Sequence, residues 1–141
     1  MTRFRQAAVY LWAAPNTAIG LLFAGLARLT GGHAAVVAGV IEAHGGLVAS
    51  LLRRMPTTGS LRRPAGASAL TLGHVVLGVD ADALDRTRAH ERVHVRQYER
   101  WGPLFLPAYA AASLIAWRRG RHPYLGNRFE REAYGATTRE G

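Results

Sequence analysis

The chain has 141 residues, enough for one domain with a single modest core. Its formal charge is +9, all 18 basic residues are arginine, and there is no cysteine. Disulfides and thiolate metal sites are excluded, so a metal site must be built from histidine and carboxylate. The arginine, alanine and glycine content together read as codon bias, which weakens charge as a guide to a partner. An anionic membrane surface still fits it. Nucleic acid fits poorly: no basic run is interleaved with aromatics and no reader motif is present.

Residues 7–27, AAVYLWAAPNTAIGLLFAGLA, carry no charge. As a helix they would extend ~31 Å, about one hydrocarbon thickness. Arg3 and Arg5 flank one end and Arg28 the other, so charge gives no orientation. Pro15-Asn16 is expected to kink or break the helix. A membrane anchor, a signal peptide and a buried helix compete. No small-x-small cleavage site with a polar start follows, which favours an uncleaved anchor. The expected organisation is an apolar anchor over 1–30 and a small metal-binding domain over 31–141.

Residues 34–54, AAVVAGVIEAHGGLVASLLRR, are rich in Val, Ile and Leu. They are predicted to form two strands of a hairpin turning at Gly45-Gly46, with Glu42 and His44 facing solvent beside the turn. Residues 54–68 read as a loop, marked by Pro56, Gly59, Pro64 and Gly66. Residues 69–80 are a third strand, on which His74 has a packing role. Asp80 to Asp82 cap a helix that runs to about Trp101 and stops at Gly102-Pro103. Residues 103–117 are apolar all round, as in a helix buried in protein or dipping into lipid, and are short for a full span. After a basic turn, a short helix over 128–137 carries Glu130 and Glu132. The fold class is α+β: an apolar helix, a small antiparallel sheet of about three strands, then three helices.

The sharpest signal is His90-Glu91-x-x-His94. Residues i and i+4 share a helical face, so both imidazoles can reach one ion at ~2.0–2.1 Å. The glutamate between them can move a proton between water and a leaving amine. Random placement gives this triplet in roughly one such chain in a hundred, so the pattern alone does not decide. The helical wheel is an independent test. At ~100° per residue, His94, Gln97 and Trp101 fall within roughly 40° of His90. Asp85, Arg88, Arg92, Arg96 and Glu99 fall on the opposite face, so the histidines turn inward. Buried imidazoles need partners. A metal supplies one; backbone carbonyls are the plainer alternative.

A third ligand could be His122, Glu130 or Glu132. Glu130 shares its face with Ala133 and Tyr134, whereas Glu132 is turned toward the Arg128 and Arg139 face, expected to be wet. Glu130 is thus the inward carboxylate. Its alternative role is a capping box with Asn127, and the two roles exclude one another. His122, before Pro123 in a basic turn, is expected at the surface.

HERVH followed by FEREAY resembles the gluzincin metallopeptidases, in which a second helix supplies a glutamate zinc ligand. The likeness covers residues 69–101 and 127–136 and is nearest to the membrane-associated HtpX-like and CAAX-prenyl protease group. Over almost its whole length the chain is also similar to a family of short bacterial proteins with an apolar N-terminus, TLGHVVLG, HERVHVRQYERWGPLFLPAY and NRFEREAY. The resemblance implies a minimal zincin-like domain, Zn²⁺ as cofactor, His90, His94 and Glu130 as ligands, and Glu91 as general base. It implies a peptide or protein substrate paired with the strand at 69–80. The group pattern has an aspartate where this chain has Tyr134, so the contact that normally orients a ligand histidine is missing there. Tyr98, Tyr134 and His122 are candidates for stabilising an oxyanion. Together these features lead to a membrane-associated zinc metallopeptidase. The alternatives are a non-catalytic membrane module with a structural zinc, or a basic membrane-surface binding protein.

Overall fold

Thr2 caps the first helix, α1 (Arg3–Leu29), by accepting from the Arg5 N–H. The computed structural model describes residues 2–55 and 66–139; most of the predicted loop, at 56–65, and the Arg139 side chain lie outside the described residues. α1 runs through Pro15 as one helix, so of the expected kink or break the break does not occur. A proline removes its own bond to the carbonyl four residues back and crowds that carbonyl, and tertiary contacts hold the next turn. Asn16 Nδ2 donates to Gly102 O at 2.9 Å, and Thr17 Oγ1 accepts from His74 N at 3.0 Å.

The inward face of α1 is a row of small residues, Ala13, Asn16, Gly20, Ala24 and Ala27, at helical spacing. Gly20 lets the helix lie directly on the sheet, since a Cβ there would sit 2.6 Å from Val75 Cβ. The outward face carries exposed Leu11, Leu22 and Leu29. The helix is long and apolar enough to cross a membrane.

Four strands follow: β1 (His33–Val37), β2 (Val40–His44), β3 (Ala69–Leu72) and β4 (Val75–Gly78). The sheet order is β1-β2-β4-β3, with β2 and β4 parallel and the other neighbours antiparallel. The α+β layout is as expected, but the sheet is mixed and has a fourth strand. The segment read as one strand over 69–80 is a hairpin turning at Gly73-His74.

The first hairpin also differs from expectation. It turns at Ala38-Gly39, both at positive φ, and not at Gly45-Gly46. Those two glycines start a helix, α2 (Gly46–Arg53). Val48, Ala49 and Leu52 are buried while Leu47 and Leu51 are exposed, which is helical and not alternating periodicity. Glu42, expected in solvent, is buried. β2 is an interior strand, and α3 (Ala81–Trp101) crosses it with Arg88 and Arg92. Arg88 Nε and Nη2 donate to Glu42 Oε1 and Oε2 at 2.9 and 2.8 Å, and Arg92 Nη2 to Oε1 at 3.3 Å. Part of the charged face of α3 is therefore spent on the sheet.

α3 is capped by Asp80, which accepts from Ala83 N at 2.7 Å. It ends at Gly102, whose positive φ and contact with the Trp12 ring leave no room for a Cβ. A short 3₁₀ turn, Gly102–Leu104, leads into α4 (Phe105–Arg118). The last helix, α5 (Arg128–Arg139), packs on α3. Asn127, fully buried, accepts from Phe129 N and donates to Tyr109 O and Ser113 Oγ, fixing the start of α5 against α4.

Candidate metal centre

α3 presents His90 and His94 one turn apart, and α5 presents Glu130 to both. His90 Nε2 lies 3.0 Å and His94 Nε2 3.3 Å from Glu130 Oε2, and the two nitrogens are 3.2 Å apart. The three atoms form a nearly equilateral triangle. Three donors held at ~2.0–2.1 Å around a tetrahedral ion stand about 3.3 Å from one another. The triangle therefore has the dimensions of a site for one ion, and the cluster can hold a metal.

The proton inventory makes the same point. Gln97 Nε2 donates to Phe129 O and Glu132 Oε2, both at 3.1 Å, so its Oε1 is left to accept. Oε1 lies 2.8 Å from His94 Nδ1, which must carry the hydrogen. Neutral His94 then directs a bare Nε2 lone pair at the Glu130 carboxylate. That arrangement is repulsive unless a proton or a cation lies between them. In the metal-free cluster the proton serves: burial opposes charge on His94, but Glu130 overcomes it and raises its pKa.

Burial likewise pushes Glu130 upward, yet hydrogen bonds from His90, His94 and Tyr109 hold its pKa down at about 2. Tyr109 Oη donates to Glu130 Oε1 at 2.7 Å, leaving Oε2 for the histidines. The capping-box alternative fails for a specific reason. Asn127 N–H is given to Tyr124 O at 3.0 Å, and the Glu130 side chain is turned to the histidines instead.

Glu91, on the next position of α3, is buried and accepts from Thr71 Oγ1 at 2.6 Å. Burial pushes its carboxyl above the ordinary value, opposed by His94 and the Thr71 hydroxyl. His90, Glu91, His94 and Glu130 all line one cavity of about 1020 Å³. Edge strand β3 forms another part of the wall, with Ala69, Leu70 and Thr71.

The other sequence candidates are distributed as follows. Glu132 lies outside the triangle, between Gln97 and Arg100. Tyr98 donates to Thr71 O at 3.0 Å, so its hydroxyl proton is already committed and it does not suit an oxyanion role. Tyr134 packs its ring on His90, with centroids 4.5 Å apart, and its hydroxyl meets that of Tyr124. His122 is half-buried and reaches the cavity, contrary to the expected surface position. Its Nδ1 accepts from Tyr124 N and Leu125 N, so its other nitrogen carries the hydrogen. His74 is a packing residue as read: buried, stacked on Tyr10, with Nε2 on Glu99 at 2.9 Å.

Gln97, Tyr109 and Thr71 were not identified as site residues. For Gln97 a signal existed, since it shares the helical face of the two histidines. Tyr109 and Thr71 reach the site only through tertiary packing. No family model, curated protein or solved structure matches the chain.

Proposed function

We propose that this chain is a membrane-associated zinc metallopeptidase that hydrolyses peptide bonds with an activated water. The observation that supports this reading is the open triangle of His90, His94 and Glu130 beside a buried glutamate in a large cavity. Two imidazoles and one carboxylate are a donor set that zinc takes in catalytic sites. Bound zinc supplies a Lewis acid that acidifies water and polarises a carbonyl.

The chain's own residues supply the rest. Glu91 is the proton carrier, taking a proton from the attacking water and delivering it to the leaving amine. Burial raises its pKa, and a cation bound beside it would oppose that rise. Thr71 holds one Glu91 oxygen and leaves the other for the proton. Gln97 holds His94 in the tautomer that offers Nε2, and Tyr109 holds Glu130 through Oε1. In this way Gln97 answers the lack of an aspartate at Tyr134. Tyr134 and His122 remain as donors for a developing oxyanion. Edge strand β3 offers backbone groups to an extended substrate.

A structural zinc site closes its fourth position with a protein ligand. Among the described residues no fourth donor joins the three, which favours catalysis over a purely structural metal. The test is Glu91→Gln. Zinc content by elemental analysis should match the parent, while hydrolysis of a peptide library falls by about 10²–10⁴-fold. Undiminished hydrolysis in that variant overturns the mechanism, and absence of a stoichiometric metal in the parent overturns the reading.

A further inference from the structure

We propose that α4 docks the protein on an anionic lipid bilayer. In this arrangement Leu104, Leu114 and Ile115 enter the interface, and Arg118, Arg119 and Arg121 meet the headgroups.

Residues 103–117 carry no charge, and α4 fully buries only Phe105 and Ala116. At ~100° per residue, Leu104, Pro107, Ala111, Leu114 and Ile115 lie along one side of the helix. All five are exposed, Leu104 at 58% and Ile115 at 50%. A contiguous apolar row of this kind differs from scattered surface leucines and marks an interaction surface.

What covers it is indicated by charge. Arg118, Arg119 and Arg121 follow immediately, all exposed. No carboxylate pairs with them among the described residues. Each arginine at an anionic membrane surface raises partitioning about fivefold. Trp117, 64% exposed, directly precedes the arginines in the chain but stands about 110° around from the middle of the row, toward the cavity. A second copy docked face to face through α4 would bring the same arginines, and residues 103–121 hold no acid to meet them. With 14 residues α4 reaches ~21 Å, short of the ~30 Å hydrocarbon core, so it lies in the interface and does not span.

The other side of α4 is a wall of the cavity, through Phe105, Tyr109 and Ser113. Leu106 and Trp117 belong to both the cavity and the exposed surface. Docking therefore puts lipid within about one helix diameter, ~10 Å, of the cavity. The consequence that the substrate is a peptide segment lying at the bilayer surface rests on the peptidase reading; the docking does not.

The 141 residues include no cysteine, so Ile115→Cys carries a single environment-sensitive dye in this chain. With phosphatidylglycerol vesicles its emission should shift to the blue and be quenched by lipids spin-labelled in the upper acyl chain. The same dye at Asp85→Cys, on the side of α3 turned from the cavity, should stay in water. Replacing Arg118, Arg119 and Arg121 together by Gln should weaken anionic-vesicle partitioning about 100-fold. A dye at 115 that stays aqueous on anionic vesicles overturns the proposal. So does a shift that grows with protein concentration without lipid, which would make the face a contact between copies. Equal partitioning of the parent to phosphatidylcholine and phosphatidylglycerol vesicles overturns the role given to the arginines. None of these readouts requires metal or turnover, so their failure is distinguishable from failure of the peptidase reading.

Discussion

α3 holds a buried carboxylate on each of its two sides, and each is gripped by a pair of side chains one turn apart. On the sheet side Glu42 lies between Arg88 and Arg92; on the cavity side Glu130 lies between His90 and His94. The i,i+4 spacing on α3 is the same and the chemistry is opposite. Arginine keeps its proton and offers no lone pair, so the first site is closed and can only clamp helix to sheet. Indeed Glu42 holds Arg88 charged well above its usual range. Histidine can surrender its proton and present a lone pair, so the second site can exchange protons for a metal. Residue type alone separates a rivet from an ion site.

The largest effect that tests this contrast is Glu130→Gln. On the proposed reading it removes one of three zinc ligands, and at roughly 3–4 kcal/mol per ligand zinc affinity should fall about 10²–10³-fold. Isothermal titration with a competing chelator measures it. Unchanged affinity would mean that the carboxylate is not in the coordination set.

Acidity separates the two sites next. Glu130 has a pKa of about 2 in the folded metal-free protein against 4.5 as reference. A depressed carboxylate stabilises above the reference value, and the contribution is lost as pH falls from 4.5 toward 2. Over that window the loss amounts to about 3 kcal/mol. His94 is raised above its reference of 6.5, so its contribution is full below 6.5 and fades as pH rises through the higher value. The metal-free protein should therefore be most stable between these limits. Zinc needs both imidazoles deprotonated, so its stabilisation should grow from pH 5 to pH 8. Melting with and without chelator across that range measures the difference. A chelator effect that is flat with pH would contradict the proton–metal exchange, because the arginine clamp cannot supply any such dependence.

Glu42→Gln probes the closed site. It leaves two guanidinium groups facing a neutral amide, and breaking a buried pair costs several kcal/mol. Arg88 is more than a third exposed, so solvent offsets part of the loss and about 2 kcal/mol is expected. The urea midpoint should fall while zinc stoichiometry stays as in the parent. Loss of zinc in this variant would show that the two sides of α3 are not independent.

The cavity side was readable from the chain because its logic is local. The i,i+4 histidines, the Asp80 cap and the inward face of α5 all follow from the 3.6-residue period, and Glu130 was separated from Glu132 on that ground alone. The sheet side was not readable. Burial of Glu42 depends on β2 pairing in parallel with β4, a contact no local pattern encodes. The Ala38-Gly39 turn puts an alanine at φ 47°, without the Asn-Gly or Asp-Gly signature of such turns. Gly45-Gly46 carried the stronger turn signal and drew the hairpin to the wrong place. α2, eight residues long and rich in Val and Leu, offered too little periodicity to correct it.

The smallest expected effect concerns the residue that keeps the cavity side open for metal. Gln97 is fully buried, and its three hydrogen bonds join His94 to α5. Gln97→Leu keeps the approximate volume but removes the acceptor for His94 Nδ1, so the imidazole can turn or change tautomer. Such outer contacts are worth about 10–100-fold in metal affinity. Gln97→Glu restores an acceptor at the same place and adds charge, so it should recover His94 orientation while repelling Glu132. A cobalt-substituted spectrum reports ligand geometry directly: the leucine variant should distort it and the glutamate variant should not. If both lower affinity equally with an unaltered spectrum, Gln97 acts only through core stability, and the tautomer argument for His94 is wrong.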